Sequence, residues 1–395
     1  MITRRSLLAL SGLAGLGAAP LLLPAPPARA ATVGTLLPTP TGPLPVGTTS
    51  LHLVDRARRD PLAPDRRPRE LMVQLWYPAR RSAGRPRAAY TTDRVASALE
   101  ATLPLTPGTL ASVRPHARLG APAAPGPLPL LLLGHGRQGG RSNCTALAED
   151  LASHGYLVAG LDHTYDARVV EFPDGRAVPG VLPDEPADWD AQERLEIGVR
   201  VGDLRFVASA LTGRPGGRPS PARGPALPEA DPRRIGVLGH SMGGAAAAEA
   251  LRVDRRFRAG LGLDGAFFGS PVADVGLDRP YLLLTAPADH DTWRRWREHP
   301  RGWARHLGLA GTGHLSFVDL PHFAVAGGLD GVWPPELYAE LLGTSAPGRT
   351  CEVLRTYARS FFDRALRGLP APLLDAPDAR YPEVSFRWAH DGPGL

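Results

Sequence analysis

The feature that most constrains the fold is a serine placed between an apolar strand and a small-residue helix. Ile235–Leu238 is a short apolar run, which is typical of a buried strand. Gly239–Gly243 follows directly and reads Gly-His-Ser-Met-Gly, with Ser241 at its centre. An alanine-rich stretch over Gly243–Leu251 then predicts a helix. This order favours a sharp strand-to-helix turn that lifts the serine hydroxyl above a sheet, where it can act as a nucleophile.

Other apolar runs alternate with helical segments along the chain, a pattern typical of a mostly parallel sheet with helical crossovers. The predicted strands are Leu71–Tyr77, Leu128–Leu133, Tyr156–Leu161, Ile235–Leu238, Leu261–Leu263 and Tyr281–Leu284. The predicted helices are Thr145–Ser153 with Asn143 as its cap, Ala191–Leu211, Gly243–Leu251 and Cys351–Leu366. These elements predict an α/β protein with the α/β-hydrolase fold, in which helices cover both faces of a mostly parallel central sheet.

The first thirty residues show the three parts of a twin-arginine export signal. Arg4 and Arg5 precede an apolar stretch over Leu7–Leu23, and Ala28–Ala30 supplies the small residues of a cleavage site. We therefore expect residues 1–30 to be a signal peptide that is removed, with an uncleaved membrane anchor as the alternative. The twin-arginine form predicts bacterial export of a folded protein, either secreted or periplasmic.

Beyond the signal, length and composition predict one catalytic domain without a metal, a cofactor or a nucleic-acid partner. Residues 31–48 are expected to be an extended lead-in and residues 49–395 a single α/β-hydrolase domain. The net charge is +6, and the 45 basic residues, all arginine, are scattered rather than arranged in a stripe. No histidines and cysteines show metal-ligand spacing. The two cysteines, Cys144 and Cys351, could pair in an exported protein, but their spacing leaves this open.

A serine nucleophile needs a base, and six histidines follow Ser241 in the chain. His314 lies in Gly311–His314, a glycine-rich loop after a predicted helical stretch, and such a loop can carry an imidazole over the strand ends. His299 and His306 lie in an Arg- and Trp-rich segment that is predicted to be helical and at the surface. His314 is therefore the predicted base.

The base needs a carboxylate to orient it, and in this fold the acid lies between the serine and the histidine in the chain. Asp264 ends the predicted strand Leu261–Leu263. Asp289 and Asp291 follow the next predicted strand, Tyr281–Leu284. Spacing alone leaves both positions open.

Two backbone amides are needed to stabilise the oxyanion that forms during ester cleavage. One is expected from Met242, the residue after the nucleophile. The other is expected from the loop after the strand Leu128–Leu133, where Gly134–Arg137 reads Gly-His-Gly-Arg. Its glycines permit a close approach of the backbone to a substrate, and an ordinary strand-to-helix loop is the alternative.

Together these motifs resemble the plasma and type II platelet-activating-factor acetylhydrolase family of α/β-hydrolases. The matching segments are the strand Leu130–Gly134, the loop His135–Arg137, the run Asp150–Gly155, the turn Gly239–Gly244, the pair Leu263–Asp264 and the segment Gly311–Asp319. The resemblance extends from about residue 68 to about residue 365, and it indicates an exported bacterial member.

The resemblance implies a role for five residues. Ser241 would be the nucleophile, His314 the base and Asp264 the group that orients the base. The backbone amides of Arg137 and Met242 would form the oxyanion hole. No cofactor would take part, and the partner would be a small-molecule or lipid ester substrate.

The implied substrates are short-acyl carboxylic esters, or acetylated or oxidised glycerophospholipids. Two departures bear on this: Arg137 stands where the animal enzymes have an apolar residue, and Gly265–Phe268 replaces a Trp-containing turn. The Gly-His-Ser-Met-Gly-Gly string of Gly239–Gly244 is also shared with bacterial lipases and cutinase-type polyester hydrolases, which are the alternative. A non-catalytic hydrolase-like binding protein is a more distant alternative, because all the residue types of a triad are present in order.

Trp293, Trp296 and Trp303 are interleaved with arginines. Such a segment could make transient contact with an anionic lipid surface. The favoured interpretation is a helix that packs its tryptophans on the sheet and exposes its arginines.

Overall fold

The computed structural model describes residues 34–213 and 227–393, so the predicted signal peptide lies outside the described residues. Within these ranges the strands are β1 (Val46–Arg59), β2 (Pro68–Pro78), β3 (Arg118–Leu119), β4 (Leu128–Gly134), β5 (Leu157–Asp162), β6 (Val169–Glu171), β7 (Ala177–Pro179), β8 (Ala230–His240), β9 (Phe257–Leu263), β10 (Tyr281–Thr285), β11 (Ala304–Leu309) and β12 (Val384–His390). The α-helices are α1 (Asp93–Glu100), α2 (Thr109–Ser112), α3 (Thr145–Ser153), α4 (Trp189–Leu211), α5 (Met242–Val253), α6 (Val272–Val275), α7 (Asp291–Arg297), α8 (Pro335–Leu342) and α9 (Pro347–Arg367). Short 3₁₀ helices lie at His314–Phe317, Leu320–His322, Leu329–Gly331 and Pro372–Leu374. None of the helices in these ranges combines the length and the apolar character that a membrane crossing requires.

Ten of these strands form one sheet in the order β12-β11-β10-β9-β8-β4-β5-β2-β1-β3, and β6 pairs with β7 separately. The six neighbouring strands from β11 to β5 in this order run parallel to one another. On either side of them, β2 and β12 are antiparallel neighbours. Because the six parallel strands point the same way, their carboxyl ends meet at one edge of the sheet, where open α/β folds bind their ligands.

Helices cover both faces of the sheet and bury two apolar cores. On one face, α4 and α5 pack together, and Val207 and Ala247 are fully buried against the strands. On the other face, α3 and α9 bury Leu151 and Phe361. Coverage of both faces explains the nearly continuous apolar runs of the strands. This is the architecture of the α/β-hydrolase fold, and the predicted fold class is confirmed.

Strand β11 is an element that the sequence patterns did not predict. The Arg- and Trp-rich segment predicts a helix that includes His306 at the surface, but the helix ends at Arg297 and His306 is fully buried in β11. The Nε2 atom of His306 lies 3.0 Å from Oγ1 of Thr285 in β10. Arg305 is buried beside it, and its guanidinium donates to the carbonyl of Leu374 at 2.8 Å. The helix prediction is wrong because Arg305 and His306 interrupt the apolar pattern expected of a buried strand. Both can be buried because their polar groups are hydrogen-bonded within the fold.

Helix α3 spans the predicted residues, but a distant side chain caps its N-terminus. The residue before the helix is Cys144, which makes no capping hydrogen bond, so the expected cap at Asn143 is wrong. The amide of Thr145 instead donates to the carboxylate of Asp319 at 2.7 Å. Because Asp319 closes the segment that carries His314, this contact ties the helix to that segment.

The tryptophans of the Arg-rich segment are core residues. Trp293 and Trp296 on α7, and Trp303 just before β11, are only 2–3% exposed. They therefore pack inside the fold, as the favoured interpretation expected, but Trp303 lies outside the helix and Arg305 is buried, not exposed. Cys144 and Cys351 are both buried and both free thiols.

Candidate active site

Ser241 lies at the sharp turn between β8 and α5. Its backbone angles are φ 54° and ψ −123°, a conformation that residues other than glycine rarely adopt. Such a conformation costs about 1–3 kcal/mol and persists only where the surroundings enforce it. One enforcing contact is the hydrogen bond from the Ser241 amide to the carbonyl of Leu263 at the end of β9, at 2.9 Å.

The glycines around Ser241 are required by close backbone contacts. A Cβ atom on Gly239 would lie 2.4 Å from the carbonyl carbon of Gly243, and one on Gly243 would lie 2.3 Å from the carbonyl oxygen of Gly134. On the acid side, a Cβ on Gly265 would lie 2.5 Å from the carbonyl oxygen of Ser241. These distances are too short for any side chain, so the ends of β4, β8 and β9 touch through glycine backbone.

His314 and Asp264 form a buried hydrogen-bonded pair next to this turn. His314 begins the 3₁₀ helix after β11, and its Nδ1 atom lies 2.6 Å from Oδ2 of Asp264, which follows β9. The amide of Ala286 donates to the other carboxylate oxygen at 2.9 Å. Burial alone would raise the pKa of Asp264, but the contact with His314 outweighs it and the pKa is below its usual value. Because an ionised carboxylate only accepts, Nδ1 carries the proton and Nε2 is left as the acceptor.

His240 links the histidine to the serine turn. Its Nε2 atom donates to the carbonyl oxygen of His314 at 2.9 Å, and the two rings lie 4.6 Å apart. Burial lowers the pKa of His240 to about 3, so its ring stays neutral. The residue directly before Ser241 therefore positions the backbone of His314.

The other two candidate acids have different partners. Asp289 pairs with Arg297 at 2.7 Å. Asp291 is the first residue of α7, pairs with Arg294 at 2.7 Å, and has a side chain that is 70% exposed. Of the acids that the sequence left open, the structure brings only Asp264 to His314.

The two predicted oxyanion donors are the amide of Arg137, in the loop after β4, and the amide of Met242, directly after Ser241. Gly134–Arg137 leaves the end of β4, and a Cβ atom on Gly136 would lie 3.3 Å from Cβ of Ser241. The amide of Met242 begins α5 and has no partner within the helix. No described residue accepts a hydrogen bond from the amide of Arg137. Both amides are therefore available to a ligand beside the serine.

A buried ion pair under this loop was missed by the sequence patterns. Arg200 of α4 donates to both carboxylate oxygens of Asp166, at 2.6 and 2.8 Å. It also donates to the backbone carbonyls of His135 and Gly136. Asp166 in turn accepts the amide of Gln138 at 3.1 Å. The available signal was an arginine in the middle of the apolar face of a helix.

An apolar cavity of about 140 Å³ adjoins the site. Arg137 of the loop after β4 and Leu315, the residue after His314, both line it. Other lining residues come from the region of α1 and α2 and from the 3₁₀ segments, and they include Tyr90, Leu99, Leu110 and Phe323. Tyr90 also lines a second cavity of about 230 Å³. The first cavity can accommodate the apolar part of a small ester.

Comparison with known proteins assigns this geometry to a family. Residues 30–170 and 228–323 match the family described as "Platelet-activating factor acetylhydrolase, isoform II". The chain belongs to this family. A curated relative from Arthroderma benhamiae, "Probable 1-alkyl-2-acetylglycerophosphocholine esterase", is 30% identical over 393 residues, which cover 89% of this chain and 93% of the relative. The platelet-activating factor acetylhydrolase of Cavia porcellus is 26% identical over 245 residues, or 53% of this chain and 52% of that enzyme.

A solved structure extends the comparison. The ferulic acid esterase from Streptomyces cinnamoneus superimposes with a TM-score of 0.80 at 43% sequence identity, covering 90% of this chain and 100% of that chain. The acetylhydrolase family and this neighbour share ester hydrolysis. The chain is therefore a serine-type carboxylic-ester hydrolase, as the motifs predict, and the non-catalytic alternative is set aside.

Proposed function

We propose that Ser241, His314 and Asp264 form the catalytic triad of this esterase, with the amides of Arg137 and Met242 as the oxyanion hole. The observation that supports this most is the His314–Asp264 pair at 2.6 Å beside the strained turn of Ser241. In this proposal His314 Nε2 takes the proton of Ser241 Oγ as the oxygen attacks the ester carbonyl.

The proposed reaction then proceeds in two halves. The two amides stabilise the negative charge of the tetrahedral intermediate, and His314 returns the proton to the leaving alcohol. Asp264 holds the imidazole in place and stabilises its charged form. A water molecule, activated by the same histidine, then releases the acyl group from Ser241.

For the substrate, we propose an ester with a compact acyl group, such as an acetylated or oxidised glycerophospholipid. The cavity of about 140 Å³ is smaller than the roughly 300–1,000 Å³ of pockets for drug-sized ligands, so a long acyl chain would not fit inside it. The name of the Arthroderma benhamiae relative, an esterase of an acetylated glycerophosphocholine, agrees with this size.

A second candidate substrate is an ester of an aromatic acid. It is favoured by the 43% identity with a ferulic acid esterase over that enzyme's whole length. The cavity also offers aromatic surface, since Tyr90 and Phe323 line it with ring centroids 5.7 Å apart in an edge-to-face arrangement. Such a pair can pack a third aromatic ring.

A panel of esters tests the substrate proposal. The p-nitrophenyl acetate, butyrate and palmitate esters measure the effect of acyl length, and a 1-alkyl-2-acetylglycerophosphocholine is compared with methyl ferulate. We expect acetyl and butyryl esters to be cleaved much faster than palmitoyl esters. The ratio of kcat/KM for the phospholipid and the ferulate decides between the two candidates. A preference for palmitoyl esters or polyester film would contradict both and support the lipase or cutinase alternative.

We also propose that the protein is exported through residues 1–30. The support is the Arg4-Arg5 pair followed by an apolar stretch and a small-residue cleavage site. N-terminal sequencing of the protein from culture medium or periplasm should begin near Ala31. Replacing both arginines with lysine should retain the protein in the cytoplasm, whereas an exported chain that begins at Met1 would contradict the proposal.

A further inference from the structure

We propose that the buried Arg200–Asp166 ion pair is a positioning element that sets the direction of the Arg137 amide in the oxyanion hole. This inference rests on the proposed function, in which that amide stabilises the intermediate formed at Ser241. Neither residue lies in the motifs that identify the site, and both act through the backbone of the loop after β4.

The carbonyl of Gly136 is the point of contact. Its oxygen accepts hydrogen bonds from Arg200 Nη2 at 3.1 Å, from His135 Nδ1 at 2.6 Å and from the amide of Gly139 at 3.0 Å. The Gly136 carbonyl and the Arg137 amide belong to one planar trans peptide unit, so they point in opposite directions. Fixing the carbonyl toward Arg200 therefore fixes the Arg137 N–H away from it.

This peptide unit lies against the nucleophile. A Cβ atom on Gly136 would lie 3.3 Å from Cβ of Ser241, so the Gly136 backbone lies beside the serine. The free side of the peptide carries the Arg137 N–H, which no described residue accepts. Arg137 also lines the cavity that adjoins the site. An oxyanion formed on a substrate attached to Ser241 is the acceptor that this arrangement suits.

Asp166 holds the other side of Arg137. Its Oδ1 atom accepts the amide of Gln138 at 3.1 Å. Gln138 has a φ of 56°, which residues with side chains rarely adopt, so its conformation depends on such contacts. The peptide units before and after Arg137 are therefore both attached to one ion pair.

Burial makes the attachment rigid. Arg200 and Asp166 are 0% and 1% exposed. Burial would raise the pKa of Asp166, but the adjacent Arg200 outweighs it and the carboxylate stays ionised. Burial, reinforced by Arg200, holds the pKa of His135 well below its usual value, so its ring is neutral and donates from Nδ1. Dipoles that are fixed in a dry environment before the reaction stabilise a developing charge most effectively.

Two variants test the role of the pair. Arg200→Lys keeps the charge beside Asp166 but removes the planar fork that reaches both the carboxylate and the carbonyls. The double variant Asp166→Asn/Arg200→Met removes both charges, so no unpaired ion is left buried. We expect each to lower kcat for p-nitrophenyl acetate by about 10–100-fold with KM within about threefold, since the carbonyl keeps its other donors.

The matched control is Arg305→Met. Arg305 is also buried and donates to backbone carbonyls, those of Leu374 and His390, but it lies at the amino end of β11. The variant should be less stable in urea unfolding, but its kcat per active site should not change. The number of active sites is counted by complete labelling with a fluorophosphonate. A loss of kcat in the Arg200 variants alone then separates positioning from general stability.

An arylboronic acid supplies the decisive measurement, because its tetrahedral adduct with Ser241 places an oxygen in the oxyanion hole. Its inhibition constant should increase in the Arg200 variants by the same factor by which kcat falls. Unchanged kcat and boronate affinity in both variants would overturn the inference while leaving the triad intact. Hydrolysis by a Ser241→Ala variant would instead overturn the proposed function, so the two failures can be told apart.

Discussion

At the scale of single residues, strain is concentrated where the proposed chemistry occurs. Ser241 and Asp264 have φ angles of 54° and 49°, and each follows the end of a parallel strand. The two strand ends are joined, since the Ser241 amide donates to the carbonyl of Leu263, the residue before Asp264. Neighbouring strand ends thus hold Ser241 and Asp264 in uncommon conformations, which fixes both side chains at the carboxyl edge of the sheet.

Replacement of the acids distinguishes the orienting carboxylate from its neighbours. Asp264→Asn should lower kcat by roughly 10²–10⁴ with little change of KM, because the imidazole loses its charged partner. Asp289→Asn and Asp291→Asn are the matched controls, and each should change kcat by less than about tenfold. Steady-state kinetics on p-nitrophenyl acetate provides the values, and the reverse ranking would assign the orienting role to the later loop.

Tyr90 sets the expected limit on acyl length, because it lines both the 140 Å³ cavity and the 230 Å³ cavity. Tyr90→Ala should join the two spaces and raise kcat/KM for p-nitrophenyl octanoate relative to acetate by about tenfold, which a few buried methylenes can supply. Tyr90→Phe keeps the ring and should leave the ratio unchanged. An equal ratio in the alanine variant and the parent would show that the acyl group lies elsewhere.

Sequence patterns singled out Ser241, His314 and Met242 as candidates because each belongs to a local motif. The choice among Asp264, Asp289 and Asp291 stayed open on spacing, because all three follow strands that end at the same edge. The family resemblance implied Asp264, and in the structure it is the Asp264 carboxylate that reaches the imidazole. The Arg200–Asp166 pair was beyond any local pattern, since its partners lie on separate segments of the chain.

At the scale of elements, the site depends on how closely three strand ends approach each other. The end of β4, the first turn of α5 and the residue after Asp264 touch through backbone, since a Cβ on Gly243 would meet the carbonyl of Gly134 and one on Gly265 would meet the carbonyl of Ser241. The glycines of these motifs therefore have two roles: they allow the turns, and they allow neighbouring elements to pack backbone against backbone. The loop after β4, Ser241 and Asp264 are therefore held in one rigid unit.

Gly136→Ala tests this contact. A Cβ there would lie 3.0 Å from Nδ1 of His240 and 3.3 Å from Cβ of Ser241, so the loop or the turn must shift by a few tenths of an ångström. We expect kcat to fall about tenfold or more. Gly198→Ala on α4 is the control, because nothing lies near its added methyl and a helix gains about 0.5–1 kcal/mol from the exchange. Full activity of Gly136→Ala would contradict the close-contact account.

The four predicted helices and the strands β4, β5, β8, β9 and β10 were predictable, because the helices repeat apolar residues at helical spacing and these strands are short continuous apolar runs. β11 was not, because Arg305 and His306 are buried with their hydrogen bonds satisfied inside the fold. The cap of α3 was missed for a related reason, since Asp319 supplies it from another part of the chain. Local propensity does not register a polar group whose partner is distant in sequence.

At the scale of the whole molecule, a buried acid on α3 makes stability depend on pH. Glu149 is 0% exposed and accepts the amides of His116 and Ala117 at 2.9 and 2.5 Å. Burial raises its pKa to about 7 from 4.5. Between these two values the folded state binds more protons than the unfolded state, so stability must fall as the pH rises.

Glu149→Gln should remove this part of the pH dependence. Between pH 5 and pH 8 the free energy of unfolding of the parent should fall by about 2–3 kcal/mol more than that of the variant, given about 1.4 kcal/mol per unit of pKa shift. Urea unfolding of the parent and the variant at both pH values measures the difference. For each protein, the free energy of unfolding at pH 8 is compared with its own value at pH 5. Parallel pH profiles would show that Glu149 is ionised in the folded state at no penalty.

The central claim is that Ser241 is the nucleophile, and the most direct test is hydrolysis and fluorophosphonate labelling by Ser241→Ala. Ser270→Ala is the control, because that serine is none of the proposed site residues and its hydroxyl donates to Glu249 of α5. We predict that Ser241→Ala folds, takes up no label and hydrolyses p-nitrophenyl acetate at least about 10³-fold more slowly, while Ser270→Ala matches the parent. Labelling and near-parental hydrolysis by folded Ser241→Ala would contradict the account.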